Sequence, residues 1–435
     1  MTTPEGGTGA ASAASGLGAY ATVTGAYWAL MLTDGTLRML VLLHFHSLGY
    51  DPIQLAYLFL LYEFLGMITN LAAGWIAARF GLTLTLYAGL ATQVAALLAL
   101  AQLQADWPVT ASVLFVMAVQ GAAGIAKDLT KTSAKSAVRL LVPDGARGRL
   151  FRWVALLTGS KNAVKGLGFL AGALLLALAG FEASLYGMAA LLGLTCLGCM
   201  IAMPPGLPAG RGKVPFREIL SKSANVNWLS AARLFLFGAR DIWFVVGVPI
   251  YFYEVLSDGG TEGRREAFML VGGFMALWII GYGAVQAATP RLLNLAAEAA
   301  QDEPGQDQPG AIRKERRAVL RWGAALAALP ALLAATVLAT PSFPLLTTGI
   351  LVAGLLLFGA LFAVNSALHS FLILAFSRAE RVTMDVGFYY MSNAAGRLVG
   401  TLLSGLSYQA LGLAGCLAAS AAFVALSLAA ASRLR

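Results

Sequence analysis

The sequence predicts an all-α membrane protein of twelve transmembrane helices arranged as two six-helix halves. Three observations predict it. First, only 12% of the residues are charged and 59% are hydrophobic, with a mean hydropathy of +0.75. A soluble domain carries about 25% charged residues, so this chain has too little polar surface to face water on all sides. Second, about twelve apolar runs follow one another, and roughly 20 apolar residues suffice to cross the hydrocarbon core of a bilayer. Third, the basic residues outside those runs fall almost entirely in alternate loops.

Residues 1–19 are mostly Gly, Ala, Ser and Thr and read as a disordered cytoplasmic tail. No Lys or Arg precedes Arg38, so no signal peptide is indicated. The first half, residues 20–203, holds spans Tyr20–Ser47, Pro52–Ala78, Leu82–Leu103, Trp107–Ala134, Leu150–Leu178 and Ala183–Met203. A polar, basic cytoplasmic linker follows at 204–226. The second half, residues 227–431, holds Asn227–Tyr253, Glu266–Thr289, Val319–Ala339, Pro344–Phe376, Val382–Tyr408 and Leu413–Ala431. Two related halves would place a site between them near mid-depth. A weak internal echo agrees with this: Asn162-Ala163 with Lys165-x-x-Gly168 in span five parallels Asn393-Ala394 with Arg397-x-x-Gly400 in span eleven.

With the N-terminus inside, the cytoplasmic segments hold nineteen Lys and Arg and the outer loops only Arg264 and Arg265. By the positive-inside rule both termini are then cytoplasmic. Cys196, Cys199 and Cys416 all lie in apolar runs and imply no disulfide framework. Cys196 and Cys199 have no further ligands nearby in sequence, so no metal site is expected. No phosphate-binding loop of the Gly-x-x-x-x-Gly-Lys-Ser/Thr kind is present, so neither ATP nor any other cofactor is implied. The net charge of +9 is accounted for by the loops and the spans, without nucleic acid.

Nine basic residues fall inside spans: Arg38, Lys127, Lys131, Lys135, Lys161, Lys165, Arg233, Arg240 and Arg397. The clear intramembrane acids are four: Asp34, Glu63, Asp128 and Asp241. A charge at a helix centre costs roughly 2.5–3.5 kcal/mol on insertion scales, so each should face a partner or a cavity. Lys131, Lys135 and Arg233, towards the cytoplasmic ends of their spans, read as snorkelling or paired structural residues. For the deeper cations the count of acids falls short, and the surplus calls for an anionic solute.

Placement sharpens that expectation. Asp34 and Arg38 stand at i and i+4, one helical face, and should pair. Asp128 should offset one of its neighbouring lysines. Lys161 and Lys165 lie one turn apart near mid-depth with no acid close in sequence, the strongest single sign of an anion site. In the second half Arg240-Asp241 lies in span seven. Tyr389, Asn393 and Arg397 share a face of span eleven, and Asn365 and His369 stand at i, i+4 in span ten. Arginine forks suit phosphate or carboxylate oxygens, whereas lysine acts as a point charge. The expected substrate-binding set is therefore Arg38, Lys127, Lys161, Lys165, Arg240, Arg397, Asn393, Tyr389, Asn365 and His369. Asp34, Glu63, Asp128 and Asp241 serve proton coupling or charge pairing, and Glu63, with no cation within a turn, is the better proton carrier. His44 and His46 read as interfacial.

Between spans two and three, Gly74-Trp-Ile-Ala-Ala-Arg79-Phe-Gly81 resembles a signature of the major facilitator superfamily, with Ala78 where the family has Asp. That departure removes any gating role for the Asp. The strings Tyr27-Trp-Ala-Leu-Met-Leu-Thr-Asp-Gly-Thr-Leu-Arg38, His44-Phe-His-Ser-Leu-Gly-Tyr50 and Gly124-Ile-Ala-Lys-Asp-Leu-Thr-Lys-Thr-Ser-Ala-Lys-Ser136 resemble the ArsJ-type organoarsenical efflux permeases. So do Trp153-Val-Ala-Leu-Leu-Thr-Gly-Ser-Lys-Asn-Ala163 and Phe237-Gly-Ala-Arg-Asp-Ile-Trp-Phe244. The resemblance is close over spans one to eight and looser beyond. It implies an antiporter-type carrier in the bacterial cytoplasmic (inner) membrane that exports 1-arseno-3-phosphoglycerate and so confers arsenate resistance. It also implies a functional partner, a glyceraldehyde-3-phosphate dehydrogenase that makes this ester. Transport would run by alternating access on an ion or substrate gradient. An organophosphate:phosphate exchanger and a non-transporting sensor of a phosphorylated metabolite remain alternatives.

The orientation is directly testable. Reporter fusions after Gly206 should behave as cytoplasmic and fusions near Gly260 as external; the reverse pattern would refute the topology.

Overall fold

The computed structural model describes residues 6–138, 147–203, 223–293, 309–342, 344–376 and 382–434. Within these, the side chains of 6–17, 73–75, 77–78, 135–136, 138, 147–156, 158, 290–291, 309–315, 374 and 382–384 are excluded. The Lys135 side chain and those of most of the basic loop residues therefore lie outside what is described. Helix α1 (Gly6–Ser47) carries span one, α2 (Pro52–Leu100) spans two and three, α3 (Val109–Val138) span four, α4 (Arg147–Leu178) span five and α5 (Phe181–Ala202) span six. In the second half α6 (Ala224–Phe244) and α7 (Gly247–Leu256) together form span seven. Spans eight, nine and ten are α8 (Thr261–Leu292), α9 (Pro309–Ala339) and α10 (Pro344–Phe376), and α11 (Val382–Ala431) carries spans eleven and twelve.

Among the described residues, eleven helical segments are long and apolar enough to cross a membrane, and the last, Asp385–Ala431, is long enough for two crossings. The all-helical multi-pass architecture read from the sequence is thus the one found. One boundary differs: α1 begins at Gly6, so helix reaches back into the stretch read as a disordered tail. Runs of Ala interspersed with Gly carry no helix-breaking proline, which allows the extension.

Three backbone breaks shape the bundle. Gly81 adopts φ 74° at the corner between spans two and three, a region open to glycine and costly for residues with a Cβ. This gives the last glycine of the span two–three signature its physical reason. Leu411 and Gly412 (φ 59°) break α11 into its two crossings. Span seven breaks at Val245–Val246 because the Pro249 ring would clash with the carbonyl of residue 245. The Ser404 hydroxyl oxygen accepts from the Val246 and Gly247 N–H groups there, at 3.1 and 3.3 Å, and so satisfies freed backbone donors.

The buried apolar side chains follow the two halves. One cluster comes almost wholly from spans one to six, with Val245, Val246 and Ile250 as its visitors. Two others come mainly from spans seven to twelve, joined by Met39, Leu43, Phe169, Ala173 and Ala177. The halves meet along spans five and eight, where Gly166 lies on Ala276 and Ile280, and Gly272 on Phe169 and Ala173. They meet again where Gly405 of span eleven lies on Pro52, Ile53 and Ala56 of span two. The second contact is on the face opposite the chain termini, where the His46 and Tyr253 rings also meet edge to face at 5.0 Å. Spans four and ten, by contrast, make no extensive contact with each other among the described residues. The bundle is therefore closed on the face away from the termini.

Glycine-lined crossings inside each half carry the closest approaches. A Cβ on Gly168 would strike the Leu32 carbonyl oxygen and lie 3.1 Å from the Gly35 Cα, and one on Gly172 would strike the Thr36 carbonyl. These obstacles are backbone atoms of span one, which cannot rotate away. Gly168→Ala should therefore lower thermal stability in detergent by about 1–3 kcal/mol. Gly187→Ala, where nothing lies within 4 Å, should be neutral or slightly stabilising; equal effects at the two positions would contradict the packing described.

Candidate functional site

The glycine crossings bring oppositely charged side chains together across helices. Spans one and five touch at Gly35 and Gly168, and beside that contact the Lys165 Nζ lies 2.5 Å from Asp34 Oδ2. Spans seven and eleven touch where Gly396 lies on the Leu234 carbonyl and Gly400 on that of Gly238. Beside that contact Arg397 Nε donates to Asp241 Oδ2 at 3.2 Å. The two arrangements correspond, one per half. The internal echo Lys165-x-x-Gly168 and Arg397-x-x-Gly400 is thereby given a meaning: cation and glycine together lock a helix pair around a buried acid.

Each acid is saturated. Asp34 also accepts a hydrogen bond from the Tyr62 hydroxyl at 2.5 Å, and Asp241 Oδ1 takes Arg240 Nε at 2.6 Å. Glu63 in span two is different. Its Oε1 accepts from Arg38 Nη2 at 3.1 Å and from Arg397 Nη2 at 2.5 Å, so it joins span one to span eleven. A chain of contacts results, running Arg38–Glu63–Arg397–Asp241–Arg240 across both halves. All its members are at least four-fifths buried. Charges so placed attract strongly through a low effective dielectric, and charge-assisted bonds of this kind are the strong class.

Aromatic rings complete the cradle. Arg38 lies over Phe59 and Tyr62 at 5.1 and 5.5 Å, and Lys127 lies over the Tyr62 ring at 4.1 Å. Arg240 faces Phe237 and Phe362 at 5.0 and 5.6 Å. Lys127 has no carboxylate within ion-pair distance among the described residues, and cation–π attraction takes that place. A small cleft with room for about one water molecule opens beside this cluster, lined by Asp34, Arg38, Phe59, Tyr62 and Gln120. Small-molecule pockets commonly begin near ~300 Å³, so an organic anion would need far more room than this conformation offers.

Several expectations are corrected by these contacts. Asp34 does not pair with Arg38 on its own helix; Lys165 is nearer because the Gly35–Gly168 contact draws span five against span one. Lys165 is thus not an acid-free lysine, while Lys161, one turn away, is part-buried. Glu63, read as an acid without a cation, is held by two guanidiniums from other spans. Lys131, by contrast, is the expected paired structural residue: it is the neighbouring lysine that Asp128 offsets, at 2.7 Å, and it donates to Asn70. Asp128 also accepts from Thr69 at 3.0 Å and Asn70 at 3.1 Å, which ties span four to span two.

Tyr389, Asn365 and His369 do not join the mid-depth network. The Tyr389 ring is fully buried beneath Arg233 at 4.9 Å, and Arg233 is itself only 4% exposed. Arg233 is structural, as expected, but neither snorkels nor pairs with an acid among the described residues: it donates to the Ser366 carbonyl and hydroxyl oxygens and stacks on Phe237 at 4.0 Å. Asn365 donates to the Leu361 carbonyl at 2.9 Å, a bond within its own helix. His369 is buried with its Nδ1 unpartnered. Asn393 is part-buried on span eleven, one turn from Arg397, and its Oδ1 has no partner. His44 stacks on Phe181 at 4.0 Å, a packing contact. Sequence reasoning missed Tyr62, Phe59 and Gln120. The one available signal was Tyr62-Glu63, a phenol adjoining an intramembrane acid.

Tyr389→Phe and Asn365→Ala, outside the network, should leave solute flux in proteoliposomes within about twofold of wild type. Asp241→Asn should instead cost ~3–5 kcal/mol of stability, because two buried guanidiniums lose their shared acid. A large flux defect in both of the former variants would place them back in the site.

Comparison with known proteins follows the fold. The family profile described as Major Facilitator Superfamily matches residues 12–297. A crystal structure of a point mutant of the nucleoside transporter NupG superposes with a TM-score of 0.63 at 14% identity, covering 96% of this chain and 98% of that one. At that identity the likeness speaks for the fold alone. No curated protein matches the chain significantly.

Proposed function

The chain belongs to the major facilitator superfamily, and on that premise we propose that it exports an organic phosphate or arsenate anion, with 1-arseno-3-phosphoglycerate as the favoured substrate. A transporter, and not an enzyme, is what the family and the fold indicate. The single observation that carries the substrate class is the charge imbalance at mid-depth. Arg38, Lys127, Lys165, Arg240 and Arg397 stand against Asp34, Glu63 and Asp241, five cations to three carboxylates, in one connected and largely buried cluster. An uncompensated charge in a membrane interior is costly, and a multiply charged oxyanion arriving between the halves relieves that cost.

The cations also divide in a way that suits a solute with two charged ends. Arg38, Lys127 and Lys165 belong to the first half, Arg240 and Arg397 to the second. A three-carbon acid with a phosphate at one end and an arsenate at the other can meet both groups at once. Binding energy is then available to draw the halves together around it, as alternating access requires. The specific identity of the solute rests on the resemblance to the organoarsenical permeases. On this reading the protein works in the cytoplasmic membrane alongside the dehydrogenase that makes the ester.

The test is arsenate resistance in cells that express the chain with and without that dehydrogenase. Resistance should need both proteins. Lys165→Gln and Arg397→Gln should each abolish it at unchanged membrane abundance, since losing one desolvated charge-assisted contact costs ~2–5 kcal/mol. Arg397→Lys should fail as well, because a point charge cannot serve two carboxylates as a fork does. Arg264→Gln should be silent. Normal resistance in both glutamine variants would refute the site.

A further inference from the structure

Of the ion pairs between the charged side chains described above, Glu63–Arg397 crosses between the halves, while Arg38–Glu63 stays within the first. Lys165–Asp34, Lys131–Asp128, Arg240–Asp241 and Arg397–Asp241 are each closed within one half. Glu63 adds a second feature: a single oxygen, Oε1, serves two guanidiniums. Arg397 retains Asp241 if Glu63 leaves. Among the described residues Arg38 has no second acid within ion-pair distance and otherwise keeps the rings of Phe59 and Tyr62. An anion entering the cleft lined by Asp34, Arg38, Phe59, Tyr62 and Gln120 meets one cation there, Arg38, whose guanidinium is already bonded through Nη2 to Glu63.

Position on the helices links this bond to the shape of the bundle. Glu63 lies two turns along span two from Ala56, and Arg397 two turns along span eleven from Gly405. Ala56 and Gly405 touch where the bundle is closed. The ion pair and the closed face are thus two contacts of the same helix pair, and weakening one loosens the other.

We propose that Glu63 is a tethered competitor for the substrate's anionic end: it occupies Arg38 and Arg397 when the site is empty, and only an anion charged strongly enough to replace it gains entry. This rests on the reading of the protein as an organic-anion carrier and names the residue that sets its charge threshold. Two carboxylates sharing one guanidinium in a low dielectric repel each other. A singly charged acid gives the arginines no more than Glu63 already does, so it does not displace the side chain. A phosphate or arsenate monoester brings up to two charges and several acceptor oxygens and can satisfy both forks. Its arrival frees Glu63 and removes the bond between spans two and eleven, which couples occupancy to opening of the closed face.

The experiment uses the full-length protein in detergent and in nanodiscs, with Glu63→Gln and the shorter, still charged Glu63→Asp. Binding of 3-phosphoglycerate and of glycerate is measured calorimetrically, and spin labels at Leu48 and Asp258 report the width of the closed face. Wild type should bind the phosphorylated acid and reject glycerate. Glu63→Gln should bind glycerate at least about tenfold more tightly than wild type does, and should show a longer label distance without any ligand. Glu63→Asp, which keeps the charge but cannot span both guanidiniums, should lengthen the distance while still rejecting glycerate. If Glu63→Gln binds both acids as wild type does, or more weakly, with an unchanged label distance, Glu63 is a static brace and the proposal falls. If wild type binds no phosphorylated acid at all, the reading of function falls instead, and the label distances still report whether Glu63 holds the face closed.

Discussion

The Arg397 guanidinium is the contact on which the mid-depth organisation depends. One side chain from span eleven reaches Asp241 on span seven and Glu63 on span two, and so belongs to both halves. In water such bonds would be worth little. Inside a bilayer the alternative is an uncompensated charge, and breaking a buried pair by removing one partner commonly costs ~3–5 kcal/mol. The position of Arg397 thus fixes where Asp241 and Glu63 can sit, and through Glu63 where Arg38 sits.

Glycine makes those bonds geometrically possible. A charged pair needs its side chains within hydrogen-bond reach, which requires helix backbones to approach closely where the charges lie. Gly35 and Gly168 supply that approach beside Asp34–Lys165, and Gly396 and Gly400 supply it beside Asp241–Arg397. Small residues at helix crossings are the usual route to close packing in membranes, where apolar burial gives no drive for one helix to prefer another. Here the same glycines also decide which charges meet. The two halves use the same device, with a lysine in one and an arginine in the other.

Aromatic residues carry the remainder of the electrostatic load. Tyr62 donates to Asp34 and presents its ring face to Lys127 and to Arg38, so one side chain serves one anion and two cations. Phe237 stands between Arg233 and Arg240, seven residues apart on one helix, and faces both. These rings supply attraction without adding negative charge. The cluster therefore keeps a cationic surplus among the described residues, which the proposed anionic solute would offset.

Composition and hydropathy alone determined the membrane setting and the all-helical, multi-pass fold class. These follow from how much apolar length a bilayer demands and from how rarely it tolerates charge. The same rarity made Arg38, Lys127, Lys165, Arg240, Arg397, Asp34, Glu63 and Asp241 visible as charges inside spans that need partners there. The partners were decided only by tertiary structure. Spacing along one helix identifies neighbours at i+3 and i+4, so it joined Asp34 to Arg38 and left Glu63 without a cation. In the bundle Asp34 turns to Lys165, 131 residues away, and Glu63 to Arg397, 334 residues away. The same limit placed Tyr389 with Arg397 on one helical face, whereas packing turned its ring beneath Arg233. A helical face shows which side chains point the same way; only the crossing helix decides what they meet.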